Sequence, residues 1–161
     1  MNWDAVGAIA LLAGAAGVSG LLVYVALQIR RNTAQLELST RALQESAYQE
    51  LRSGLHQVTI PVAQTDELAG VFQTGLSDFD SLSETQQFRF HWVMGGIFNA
   101  LDDAHYQHEI GLLASARWEA CRRQLGWYCA LPGVKQWWRA YPTETLGFSE
   151  EFVGIVEAEL R

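Results

Sequence analysis

The stretch AVGAIALLAGAAGVSGLLVYVALQI, residues 5–29, followed at once by Arg30 and Arg31, decides how this chain is read. Its twenty-five residues carry no charged side chain, and at a rise of about 1.5 Å per residue they make about 37 Å of helix. The hydrocarbon core of a bilayer is about 30 Å thick, so the segment is expected to span it as one transmembrane helix with some tilt. A cleaved leader needs a basic n-region and a short apolar stretch. Here only Asp4 and the α-amino group precede a long apolar run, so a retained anchor is expected.

All eleven Lys and Arg follow the run, with Arg30, Arg31 and Arg41 in the flank that insertion reads. The positive-inside rule then places the N-terminus outside and the C-terminal domain in the cytoplasm. Cys121 and Cys129 fit that compartment: eight residues apart on one helix they are too distant to pair, and reduced thiols are the cytosolic default. Beyond the run the chain holds seventeen Asp and Glu against the eleven cations. A nucleic-acid partner needs a basic face, and no cluster exceeds Arg122 with Arg123, so that class is set aside.

Working outward, no Gly or Pro occurs between Leu21 and Ser53. Apolar residues recur there and just beyond at Leu36, Leu43, Ala47, Leu51, Leu55 and Val58, which is helical spacing. The spanning helix is therefore expected to continue into the cytoplasm until Gly54 or Pro61 stops it. A short helix over 66–75 with Thr65 or Asp66 as N-cap and a turn-rich stretch over 76–82 should follow. Ser83 with Gln86 makes a capping box that opens a helix closing at Glu109 or Ile110 before Gly111. Ser115 reads as the cap of a helix that halts before Pro132. Pro132 and Gly133 open a short helix holding Trp137 and Trp138 and closed by Pro142, and Ser149 caps the last helix.

The expected fold is thus all-α: transmembrane helix 1–29, a continuing long helix 30–60, and a cytoplasmic helical bundle 61–161. Trp92, Trp118, Trp127, Trp137 and Trp138 are expected to pack the bundle's core.

Within the span, Gly7, Ala10, Gly14, Gly17, Leu21, Tyr24 and Gln28 follow alternating steps of three and four. Small residues on one seam let helix backbones approach closely in lipid. A chain with one span can use such a seam only against another chain, so a homo-oligomer is expected. A polar ring at Gln28 and Asn32 would make a small channel the alternative reading.

Asp102, His105 and His108 step by three along one helix and form the leading metal-ligand stretch. The steps drift by about 60° each, and the second Glu-x-x-His helix of ferritin-like sites is missing. A solvated polar face is the better reading, a metal-binding sensor the weaker alternative. His56 and His91 stand alone. No phosphate loop, nucleophile elbow or zinc-protease motif occurs, so no catalytic, cofactor or metal residue is assigned and no enzyme is expected.

The opening Asn2-Trp3-Asp4-Ala5-Val6-Gly7-Ala8-Ile9 and the later Gln28-Ile29-Arg30-Arg31-Asn32-Thr33 resemble a widespread group of small uncharacterised bacterial single-pass inner-membrane proteins. Leu131-Pro132-Gly133-Val134-Lys135-Gln136-Trp137-Trp138 and Phe148-Ser149-Glu150-Glu151-Phe152 are similar to the same group. The resemblance implies a bacterial inner membrane, one N-terminal span and a helical cytoplasmic domain, with no activity to carry over. The group has a Glu-Asn and tyrosine-rich segment where this chain has residues 99–109 with two histidines, so it implies no shared task for them. The expectation from the whole sequence is a membrane-anchored homo-oligomeric scaffold. Its partners would be the lipid bilayer and an unidentified membrane or cytoplasmic protein.

Overall fold

The computed structural model describes residues 3–141 and 146–161; within the first helix the side chains of residues 3–13, Ala15, Ala16 and Ser19 lie outside the description. The described elements are all helical. They are α1 Trp3–Gln64, α2 Asp66–Ser77, a 3-10 turn Phe79–Ser81, α3 Glu84–Glu109, α4 Ser115–Cys129, α5 Pro132–Ala140 and α6 Glu150–Glu159. The chain divides into two compact units, Met1–Ala42 and Leu43–Arg161. Among the described residues no helix is long and apolar enough to cross a membrane.

α1 runs through both residues expected to stop it. Gly54 weakens a helix by only about 1 kcal/mol relative to Ala, and Pro61 removes a single N–H one turn before the end. Against these losses, Ala47 and Leu51 are buried and Leu55 and Val58 pack on the core, which holds the helix on course. The stop comes at Thr65, whose backbone is extended and whose hydroxyl accepts from the Leu68 N–H at 3.3 Å, capping α2. α2 reaches Ser77 rather than Gly75, and the 3-10 turn takes up part of the expected loop. The Gln136 side-chain oxygen accepts from the Phe79 N–H at 2.7 Å and holds that turn against α5.

α3 begins and ends where its sequence signals lie. The Ser83 N–H donates to the Gln86 side-chain oxygen Oε1 at 2.9 Å, and Gly111, at φ +77°, ends the helical path. The N-cap of α4 is Ala114, with Ser115 the first helical residue and without a capping bond. The reason lies upstream: the Leu112 and Leu113 N–H groups both donate to the Gln107 carbonyl, and that turn delivers Ala114 in the extended conformation an N-cap requires. Pro132 opens α5 as expected, while Pro142, its expected closing residue, lies outside the described residues. Ser149 caps α6 by accepting from the Phe152 N–H at 3.3 Å. At the other end of α6 the Lys135 ammonium donates to the Leu160 carbonyl at 3.0 Å.

Within the second unit, α3 supplies the centre. Phe90, Met94, Ile97, Phe98 and Leu101 are buried against Leu125 and Cys129 of α4, Val134 and Trp137 of α5, and Phe152 and Val156 of α6. Where α2 meets α5 the backbones touch: a Cβ on Gly133 would lie 1.9 Å from the Gly75 carbonyl oxygen. A smaller cluster joins Leu51 of α1 to Ala100, Ala104, Leu113 and Trp118. The Arg117 guanidinium, 3.5 Å above the Tyr48 ring and 3.2 Å from Glu45, adds a tie between α4 and α1. Of the five tryptophans expected in the core, Trp118, Trp137 and Trp138 are there, but Trp92 and Trp127 are exposed. They fall on the outer faces of α3 and α4, a placement fixed by helix rotation and not by size or polarity.

Candidate functional site

In the first unit the residues of the expected seam lie on one helix, α1. At Gly14 and Gly17 an added Cβ would meet nothing within 4 Å. Leu21, Tyr24 and Gln28 are exposed, as is Asn32. The side-chain positions of Gly7 and Ala10 lie outside the described residues. Every described side chain from Gly14 to Ala42 is exposed. The apolar ones, among them Val18, Leu22, Val23, Val25, Leu27 and Ile29, point to all sides of the helix. Thr33 and Thr40 return their hydroxyls to the carbonyls of Ile29 and Leu36 at 2.9 Å, so neither offers a free donor outward.

The polar stretch of α3 does not converge. Asp102 turns toward the start of α6, where it accepts from the Ser149 N–H at 2.8 Å and from the Ser149 hydroxyl at 2.6 Å. A carboxylate at a helix N-terminus meets both unpaired N–H groups and the positive end of the helix dipole. His108 and His105 pack their rings on Trp118, at 6.0 and 5.0 Å between centroids. His108 Nδ1 lies 3.2 Å from the Leu113 carbonyl, and His105 lies 3.9 Å from Glu109. Among the described residues no group of three His, Cys, Asp or Glu could hold a metal ion. Burial, together with the neighbouring charge of Asp102, pushes the Asp103 carboxyl above its ordinary range.

His91 belongs to the packing of α5. The buried Trp137 indole donates to His91 Nδ1 at 3.2 Å, and the Tyr141 ring stacks on the imidazole at 3.9 Å. An imidazole that accepts at Nδ1 is neutral, and burial lowers its pKa in agreement. Cys121 and Cys129 are free thiols, half-buried and buried. Burial and the Glu159 charge, against an opposing Lys135, push Cys129 up to about 12, and burial raises Cys121. Neither has the depressed pKa that makes a nucleophile.

Sequence spacing misses the Asp102–Ser149 clamp because its partners lie 47 residues apart. It also misses the surface pair Phe88 and Trp92, whose signal was the i, i+4 repeat of large aromatics on a helix that already has a complete apolar face. No family model, curated protein or solved structure matches the chain.

Proposed function

We propose that this protein is a membrane-anchored homo-oligomeric scaffold: residues 5–29 span a bacterial inner membrane with the N-terminus outside, the small-residue seam joins copies, and the helical unit presents a surface to partners in the cytoplasm. One observation carries the reading. From Leu21 to Ile29, nine consecutive uncharged residues all expose their side chains. At roughly 25 cal/mol per Å² of apolar surface, such a cylinder is strongly unfavourable in water and at home in lipid. The uncharged run continues upstream to Ala5, and the open space beside Gly14 and Gly17 suits a second backbone. No catalytic step enters this reading.

The test is made in native membranes. Protease added to the cytoplasmic side should remove the helical unit, and crosslinkers placed at Leu21 should join copies. Gly14→Leu and Gly17→Leu should abolish the crosslink without loss of insertion. A species that stays monomeric in membranes, indifferent to both substitutions, overturns the scaffold. Conductance across reconstituted bilayers that changes in Gln28→Leu or Asn32→Leu would replace it with the channel.

A further inference from the structure

Between the end of α1, α2 and α3 the second unit has an apolar groove made of two hollows that share Val93. One, of about 330 Å³, is walled by Leu68, Phe88 and Trp92; the other, of about 310 Å³, by Val62, Phe72 and Leu76. Phe88 and Trp92 stand one helical turn apart with rings edge to face, centroids 6.0 Å apart, and they are 60% and 65% exposed. The core does not need them, since Phe90, Met94 and Ile97 already fill the inward face of α3. Exposed Trp and Phe beside a hollow are the chemistry of an interaction hot spot.

The surroundings say which partner fits. Asp66 and Glu67 open α2 beside Leu68, and Glu84 lies one turn before Phe88; all three carboxylates are exposed. Among the described residues lining the two hollows the one cation is Arg89, and its ion pair with Glu67 leaves Asp66 and Glu84 as the carboxylates without a cationic partner in the lining. The apolar slot is therefore flanked by net negative charge. Two adjoining hollows suit two anchor side chains spaced three or four apart, the pattern an amphipathic helix presents to a groove.

We infer that this groove docks an amphipathic helix of a partner protein, with apolar anchors in the two hollows and basic residues facing Asp66 and Glu84. The inference rests on the scaffold reading for its cytoplasmic setting and names the class of partner that the scaffold holds.

The full chain in phosphatidylcholine nanodiscs is titrated with a fluorescent Leu/Lys heptad helix, with empty nanodiscs as the blank and a Leu/Glu helix as the comparator. The Lys helix should bind and the Glu helix should not. Trp92→Ala should weaken binding by about tenfold or more, and Trp92→Lys further, since both sit on an exposed site that leaves the core intact. Glu84→Gln should weaken it severalfold and flatten its salt dependence. Equal binding of wild type and Trp92→Lys, or equal binding of the two helices, overturns the inference. So does a photo-crosslinker at Trp92 that captures a second copy of this chain or a lipid acyl chain in place of the peptide. The Leu21 crosslink is read on the same samples: its persistence with absent peptide binding rejects the groove alone, and its loss rejects the scaffold.

Discussion

Three glycines between the packed helices of the second unit and three along the helix of the first sit in opposite surroundings. In the second unit a Cβ on Gly133 would collide with the Gly75 carbonyl, one on Gly75 would lie 2.3 Å from the Phe90 ring, and one on Gly96 would lie 2.8 Å from Val58. In the first unit Gly14, Gly17 and Gly20 face open space. At Gly75, Gly96 and Gly133 the second unit uses glycine because its own helices leave no room for a methyl group, whereas its Gly54, Gly70 and Gly154 are as open as those of the first unit. Among the described residues of the first unit no neighbouring side chain or backbone calls for glycine at Gly14, Gly17 or Gly20, and the proposed scaffold gives them a use as a contact between copies. Charge also separates them, since Leu43–Arg161 holds sixteen Asp and Glu against eight Lys and Arg, whereas the first unit holds Asp4 and Glu37 against Arg30, Arg31 and Arg41.

The contrast can be broken most sharply at Gly133. Gly133→Ala should destabilise the second unit by about 3 kcal/mol or more, because the obstacle is backbone and the helices must part; thermal unfolding followed by circular dichroism reads it. Gly75→Ala should remove about 2 kcal/mol, since the buried Phe90 ring has to leave its rotamer. Asp102→Ala should remove about 1–2 kcal/mol by leaving the Ser149 N–H and the α6 dipole without their acceptor, and Asp102→Asn should recover part of it. At the small end, Gly14→Leu should leave the unfolding of the second unit unchanged while abolishing the association of copies that the proposed scaffold requires. A lowered melting temperature for the second unit in that variant would erase the distinction.

Acidity sharpens it further. His91 has a folded pKa below its ordinary 6.5, so between those two values the unfolded chain binds more protons than the folded one. Stability contributed by the neutral imidazole is complete above about pH 6.5 and falls as pH drops toward the folded value. His91→Phe should flatten that part of the melting profile, while the first unit, which has no histidine, adds no slope of its own there.

Local chemistry made much of the fold legible. Thr65, the Ser83–Gln86 pair, Gly111, Pro132 and Ser149 mark ends that depend on nearby backbone groups, and the helices begin or end there. Ends set by distant packing were hidden. α1 outlasts Pro61 because Leu55 and Val58 are held by other helices, and Ser115 loses the cap of α4 to a turn fixed by the Gln107 carbonyl. Of the candidate site, spacing alone places Gly14, Gly17, Leu21, Tyr24 and Gln28 on one helix, where they are exposed. The histidines could not be resolved into a Trp118 stack and a Trp137 partner, because those contacts span 10 to 46 residues. Nor could Trp92 be told from Trp137, since both are large, apolar and on helices.

The bond from Lys135 to the Leu160 carbonyl has a practical side. Lys135 is the only lysine in the chain, so apart from the α-amino group every amine-directed reagent has one target. Acylating that nitrogen removes the charge that steadies the last turn of α6. Acylation at Lys135 is therefore a way to loosen the end of the final helix at one defined atom, without any change of sequence.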